Sequence, residues 1–382
     1  MKITIVTGPF LPVPPAPCGA VERVWNDLAK EMARRGHDVT IICRDHEKLP
    51  KEPLRDNVRY IPITPFTSTP RLALNLLKDF AYTTRALAAL PKADILVTNT
   101  FWLPPLAGWL RPSAGAIHLH VQRVPKGQMG MYIRSRIARI AAVSSAIRNF
   151  IIEECPAAAP LIRIFPNPID TDTFVPPAQP RDYSREQTLL YTGRIHPEKG
   201  LLLLADAFRI FRQRNPASQL RLRLVGPWKV EDGGGGQPYV DQLRQRLGDI
   251  PFDMPGPIYG RQELARELQQ AHFYVYPSQA ERGEASPVAP LEAMATGLVP
   301  IVSDLPQFMD YLTDGETGAV FNHRGETGPE NLARLLERLT QTPVTELQAW
   351  SERAARQGAR FSISHIAELY LKDFEELVRA RR

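Results

Sequence analysis

The sequence predicts an α/β protein of two domains, each built on a parallel sheet covered by helices. Short apolar runs alternate with amphipathic stretches along the 382 residues. That alternation breaks once, at a proline cluster, and then restarts. The residues with chemical potential fall at strand ends or in the loops just after them, where a parallel sheet collects its ligands.

The elements follow in order. Ile3–Thr7 is a predicted strand. Val21–Arg35 then repeats Val21, Val24, Leu28 and Met32 at helical spacing, Gly36-His37 stops that helix, and Asp38–Cys43 returns as a strand. Ile95–Thr98, Ala116–Leu119 and Ile140–Val143 are predicted buried strands. Proline gathers in Pro166-Asn167-Pro168 and again from Pro176 to Pro180, which predicts a linker between a first domain at 1–175 and a second at 185–360. The second domain's predicted strands are Thr188–Thr192, Leu220–Val225, Phe252–Met254, Phe273–Tyr276 and Val299–Val302. A last helix, about Ser364–Arg381, is expected to cross back and brace the first domain. Two such halves facing each other would hold a ligand in the cleft between them, at the carboxyl ends of their strands.

Composition bounds the function. Hydrophobic residues at 43% and charged residues at 23% are globular values. The most apolar stretch, Leu72–Leu90, is interrupted by Lys78, Asp79 and Arg85, so no run reaches the roughly 18 residues of a membrane span. Met1-Lys2 runs directly into the first strand, and the three cysteines (Cys18, Cys43, Cys155) lack metal-ligand spacing; a reduced, cytoplasmic setting is the expectation. The net charge of +6 is unevenly spread: from Asn57 to Ile152 twelve Lys and Arg face only Asp79 and Asp94, whereas residues 181–382 carry 25 basic and 27 acidic side chains. A basic first half suits an anionic partner such as a membrane surface, or is simply a solvated face. Residues Met129–Ile140 put Met129, Ile133 and Ile137 on one helical stripe beside Lys126, Arg134, Arg136 and Arg139, the pattern of an interfacial helix or of a core-packing one. No aromatic-interleaved basic motif indicates nucleic acid.

Two motifs carry chemistry. In Glu284-Ala-Ser286-Pro287-Val288-Ala289-Pro-Leu-Glu292, a loop after a strand becomes a helix near Val288. The free N–H groups around Val288 and Ala289, with the helix dipole, favour a diphosphate. Glu292 can accept both hydroxyls of a ribose, and Glu284 can meet sugar hydroxyls. In Tyr191-Thr-Gly193-Arg194-Ile-His-Pro-Glu198-Lys199-Gly200, Gly193 permits a tight turn while Arg194 and Lys199 supply two cations for a doubly charged leaving group. Each motif has a plainer reading, as a surface helix or as surface charges.

Together, in this order and spacing, they resemble the retaining glycosyltransferases of the GT-B fold, specifically glycosyltransferase family four (glycosyl transferases group 1), along almost the whole chain. Gly19-Ala20 followed by Glu22 is similar to the family's first glycine pair, with the second glycine replaced. Ala142–Ala146 and Phe165–Phe174 resemble its interdomain segment, and Val225-Gly226 and Pro255-Gly256 its nucleotide turns. Glu284 and Glu292 match its two-glutamate motif; Arg194 and Lys199 match its phosphate pair. The resemblance implies a nucleotide-diphosphate sugar donor, UDP-sugar favoured, in the second of two Rossmann-like domains, and a glycan or lipid-linked acceptor in the first. It implies retention without a metal or other cofactor, the departing phosphate helping to deprotonate the acceptor. It also implies a histidine contact to the donor sugar; His118 and His120 share one side of their strand, and His120 is favoured as the nearer to the loop. Ser286-Pro287 stands where the glutamate motif usually has a glycine, Ser303–Gln307 lacks the usual Gly-Gly and Pro-Glu, and Gly233–Gly236 suggests a mobile flap or insertion. Rival readings are a nucleotide-sugar epimerase, a catalytically silent sugar-nucleotide-binding protein, and a nicotinamide dehydrogenase, the last lacking its glycine fingerprint after Ile3–Thr7.

Overall fold

The computed structural model describes residues 1–13, 19–47, 53–67, 69–184 and 186–381. Cys18 lies outside them; Cys43 and Cys155 are free thiols. The chain divides into two compact units, one of Met1–Pro168 with the chain from Ile363 onward, the other of Ile169–Ser362.

The first unit contains β1 (Lys2–Val6), α1 (Ala20–Arg34), β2 (Asp38–Arg44), β3 (Leu54–Arg55), β4 (Val58–Ile63), α2 (Leu72–Ala89), β5 (Ile95–Thr98), α3 (Leu103–Leu110), β6 (Ala116–Val121), α4 (Met129–Ile133), β7 (Arg139–Ala142), α5 (Ser145–Glu154) and β8 (Ile162–Ile164). Its sheet runs β3-β4-β2-β1-β5-β6-β7-β8, parallel except for β3. The order reverses between β1 and β5, the doubly wound pattern. The strands read as near-continuous apolar runs because both sheet faces are covered. α1 buries Val24, Trp25, Leu28, Ala29 and Met32 on one face, and Gly36, with φ of 86°, turns the chain out of the helix.

The second unit contains β9 (Gln187–Thr192), α6 (Leu201–Arg214), β10 (Leu220–Val225), α7 (Gly236–Leu247), β11 (Phe252–Gly256), α8 (Arg261–Gln270), β12 (Phe273–Tyr276), α9 (Val288–Ala295), β13 (Pro300–Ser303), β14 (Ala319–Phe321), α10 (Gly328–Gln341) and α11 (Val344–Ala359). All six strands are parallel, in the order β11-β10-β9-β12-β13-β14, so the switch point lies between β9 and β12. The Ile169 N–H donates to the Phe361 carbonyl at 2.8 Å, so the chain enters and leaves this unit at neighbouring points.

The last helix, α12 (Ile363–Arg381), belongs to the first unit. Its Ile366, Ala367, Tyr370, Phe374 and Leu377 share a core with Trp25 and Leu28 of α1, and Tyr370 stacks on Phe165 at 4.3 Å between ring centres. Asp373 of the same helix accepts from Arg139 at 2.8 Å and lies 3.2 Å from His118 Nε2, all three buried.

Two expectations are corrected. Residues 129–140 do not form one helix: α4 ends at Ile133, Arg136 adopts a left-handed φ of 58°, and Arg139 opens β7. Met129 and Ile137 are core residues and Arg139 is committed to Asp373, so no interfacial stripe exists there. The glycine run is not a flap either. The N–H groups of Gly233, Gly234, Gly235 and Gly236 donate to Val230, Lys229, Ile195 and Trp228 at 2.8–3.0 Å, and a Cβ on Gly234 would stand 2.2 Å from the Trp228 carbonyl carbon.

Candidate active site

The site begins where β9 stops. Gly193 (φ 146°) and Gly226 (φ 157°), at the ends of β9 and β10, approach so closely that a Cβ on Gly226 would stand 1.7 Å from the Gly193 carbonyl oxygen. Only glycine allows that approach. Pro197–Lys199 then form one 3₁₀ turn, and Gly200, left-handed at φ 68°, brings the chain against Pro277 just after β12, where a Cβ would meet the Pro277 carbonyl oxygen at 1.9 Å. The loops after β9 and β12 are therefore locked together at the switch point.

That contact buries an ion pair. Lys199, 8% exposed, donates to the Oε1 of Glu284, 5% exposed. The Ser278 hydroxyl at 2.8 Å and the Tyr276 hydroxyl at 3.2 Å donate to the same oxygen, and the Lys199 ammonium lies 5.3 Å from the Tyr276 ring centre. Burial and the Glu284 charge together push the Tyr276 phenol well above its ordinary pKa, so it stays a donor. The Gln307 amide donates to the Glu284 carbonyl at 2.9 Å, and Ser303 to the Ser278 carbonyl, so the segment after β13 holds the same loop.

Arg194 is more open. Its Nη1 donates to the Gly233 carbonyl at 2.8 Å and its Nη2 to Glu198 at 2.7 Å. Burial would raise the Glu198 pKa, but the Arg194 hydrogen bond and charge outweigh it and hold the carboxyl below its usual value. Four more side chains hold the loop after β12 to the segments after β13 and β14: Asp304 accepts from His323 and from Arg324, each at 2.5 Å, and Arg324 pairs with Glu281 at 2.8 Å.

α9 starts at Val288 with Pro287 as its N-cap. Proline at 287 and 290 supplies no N–H, so the first turn presents only those of Val288 and Ala289. Ser286 is buried and Glu292, one turn into α9, is half-buried. Lys199 has three donors and Arg194 five, of which the described contacts use one and two. The arrangement is thus a cluster of cations and N–H groups at a parallel sheet's switch point, suited to a bound polyanion.

In the first unit, Gly19 (φ 145°) is the N-cap of α1 and Ala20 its first residue. His120 is buried: its Nδ1 accepts from the Trp25 indole at 3.1 Å, while Nε2 finds no partner among the described residues. Burial, then the neighbouring His118, pushes its pKa down to about 3. His118 points the same way, as alternation predicts, but is tied to Asp373 and packed edge-on against Phe165 and Phe374.

Comparison with known proteins gives the arrangement a family. The model described as "Glycosyl transferases group 1" matches residues 177–357, and the one described as "Glycosyltransferase Family 4" matches residues 21–173. The chain belongs to glycosyltransferase family four. Related sequences include the lipopolysaccharide 1,2-N-acetylglucosaminetransferase of Salmonella typhimurium, 26% identical over 83% of this chain and 84% of that protein. The phosphatidyl-myo-inositol mannosyltransferase of Mycobacterium tuberculosis is 28% identical over 78% of each. Similar folds include a Rickettsia africae glycosyltransferase (TM-score 0.76, 16% identity, 99% of each chain). Another is Anabaena HepE in complex with UDP and glucose (TM-score 0.71, 17% identity, 98% of this chain and 99% of that one).

This family-four glycosyltransferase therefore has the GT-B fold, and its sequence motifs fall into two groups. Gly193, Arg194, Lys199, Gly226, Glu284, Ser286, Pro287, Val288, Ala289 and Glu292 all lie in the second unit, at strand ends and the start of α9. Gly19, Ala20, His118 and His120 lie in the first. Sequence reasoning passed over Tyr276, Ser278 and Gln307, which hold Glu284, and Glu198, which holds Arg194. Only Glu198 gave a signal, as an acidic residue four positions after Arg194.

Proposed function

We propose that this glycosyltransferase moves a sugar from a nucleoside-diphosphate donor, UDP-sugar first, to a hydroxyl on a glycan or lipid-linked acceptor, retaining the anomeric configuration and using no metal. The observation that carries this reading is the Lys199–Glu284 pair at the β9/β12 switch point, with Arg194 beside it and the Val288 and Ala289 N–H groups at the start of α9. Charge on the diphosphate grows as the glycosidic bond breaks, so cations already fixed in place favour the transition state over the ground state. Lys199 and Arg194 take that role. Glu292 accepts the ribose hydroxyls, Glu284 the sugar hydroxyls while it orients Lys199, and His120 contacts the donor sugar. The names of the relatives, lipopolysaccharide and phosphatidylinositol glycosyltransferases, support a glycan or lipid-linked acceptor.

The test is a donor panel of UDP-, GDP- and ADP-sugars with proton NMR of the first-formed product. Retained configuration, turnover in EDTA and a preference for a UDP-sugar are expected. An inverted anomeric centre, or activity abolished by EDTA and restored by manganese, overturns the reading.

A further inference from the structure

Helix α2 carries large apolar side chains on its outward side. Asp79, Tyr82, Thr83 and Ala86 face the interior, but the opposite side carries Leu77 at 66% exposure and Phe80 at 43%, and Leu72 and Leu74 are exposed at its start. The neighbouring α3 ends on Trp109 at 58% exposure and Leu110, also exposed. The two helices are fixed side by side: Phe80 packs edge-on against Trp102, whose indole donates to the Leu76 carbonyl at 3.0 Å, and Arg111 donates to the Leu90 carbonyl at the far end. Large apolar side chains gathered outward on adjacent helices mark an interaction surface.

The charges around it have one sign. Arg71, Lys78 and Arg85 lie on or beside α2, and Arg111, Arg134 and Arg136 beside α3; among the described residues none of these six pairs with a carboxylate. Lys78 donates instead to the Thr67 carbonyl, Arg85 lies over the Phe66 ring, and Arg136 lies 4.4 Å from the Trp109 ring centre. The two acidic residues between Asn57 and Ile152 are committed elsewhere. Asp79 is buried, accepting from the Phe101 and Trp102 N–H groups, and Asp94 accepts from the Lys2 N–H. Arg71, at the N-cap of α2, even opposes the helix dipole.

We propose that the outward face of α2 and the end of α3 dock on an anionic lipid bilayer. Leu, Phe and Trp enter the boundary between headgroups and acyl chains, while the flanking guanidinium and ammonium groups meet lipid phosphates. A second copy of the chain is a poor occupant, because it would bring these cations face to face with no carboxylate between them. This surface is separate from the sugar-transfer reading and stands or falls without it.

The test floats the full chain with phosphatidylcholine vesicles and with vesicles also containing phosphatidylglycerol, at low and high salt. The variants are Leu77→Gln/Phe80→Gln and Arg71→Gln/Arg85→Gln, all at exposed positions away from the catalytic machinery. The chain is expected to float with the anionic vesicles only, and high salt is expected to release it. The cation pair should weaken binding about 25-fold, from about fivefold for each charge near the surface. The apolar pair should weaken it at least about tenfold. Both variants should keep the parent melting temperature. Equal flotation on both vesicle types, or variants that float like the parent, overturns the proposal. So does a dimer in sedimentation velocity that Leu77→Gln/Phe80→Gln abolishes while vesicle binding is absent.

Discussion

Lys199 and Glu284, eighty-five positions apart, form a buried ion pair that joins the loop after β9 to the loop after β12. Two further hydroxyls, of Ser278 and Tyr276, converge on the same carboxylate oxygen. A buried charge with its partner removed is expensive, whereas a pair replaced by apolar groups of similar size is often neutral. Lys199→Ala should therefore destabilise the second unit by about 3–5 kcal/mol, a fall in Tm on the order of 10 °C. Lys199→Met/Glu284→Leu should recover most of that Tm, with activity still absent. Calorimetry of both variants separates the roles; a Lys199→Ala protein that melts with the parent would show that the pair carries no stability.

Arg194 makes the complementary case, because its side chain is 43% exposed and its Glu198 partner 37%. Exposed pairs contribute roughly 0–1 kcal/mol, so Arg194→Ala should leave Tm within a few degrees. It should lower kcat more than it raises KM, since the leaving diphosphate gains charge in the transition state. Arg194→Ala/Lys199→Ala should lose less than the sum of the single losses in activation free energy. Steady-state kinetics showing a change in KM alone would remove Arg194 from leaving-group stabilisation.

Buried apolar strands that alternate with amphipathic helices were legible, and β5, β10 and β12 have the bounds the sequence predicts. Other elements were hidden by local chemistry. β4 contains Pro62, which argues against a strand, and β8 and β14 have only three residues each. The stripe at 129–140 followed helical spacing, but spacing does not register that Arg136 turns left-handed. The motif residues were legible as short local patterns. The groups that hold them were not: Gln307 meets Glu284 across 23 positions and Asp373 meets Arg139 across 234, distances over which period carries no information.

The Asp373 cluster makes the first unit acid-sensitive. Burial pushes the pKa of His118 below its ordinary value although Asp373 pulls it up, and His120 falls to about 3. Both bases are depressed, so their contribution is complete above pH about 6.5 and fades as protons are forced on at lower pH. Burial would raise Asp373, but its hydrogen bonds to His118 and Arg139 win, so its contribution fades only below about pH 4. Denaturant midpoints read on the first unit should fall between pH 7 and pH 5, and His118→Asn/His120→Asn should flatten that slope. A parent midpoint constant across the range would contradict the assignment.

Glu292 sits half-buried one turn into α9, beside the helix start that the diphosphate reading requires. Glu292→Ala should weaken nucleoside-diphosphate binding by about 1–3 kcal/mol, the range for a hydrogen bond to a charged group and the partner it leaves behind. Isothermal calorimetry with UDP reads this directly; an unchanged Kd would place the ribose elsewhere.

His120 allows its two ring nitrogens to be tested apart. Nδ1 accepts from the Trp25 indole, a buried contact that stabilises the packing of α1 on β6, whereas Nε2 has no partner among the described residues. Asparagine can place an acceptor near the Nδ1 position and has nothing at Nε2. His120→Asn should therefore keep the Trp25 hydrogen bond and most of the parent Tm. His120→Ala strands the indole N–H in the core at about 1–3 kcal/mol. If Nε2 contacts the donor sugar, both variants should lose kcat to a similar degree, with UDP affinity nearly unchanged. A purely structural His120 predicts a different pattern, in which activity tracks Tm and His120→Asn works like the parent. Measuring kcat, UDP affinity and Tm on the same two proteins distinguishes these outcomes, and a fully active His120→Asn would remove the histidine from the chemistry while leaving its role beneath α1 intact.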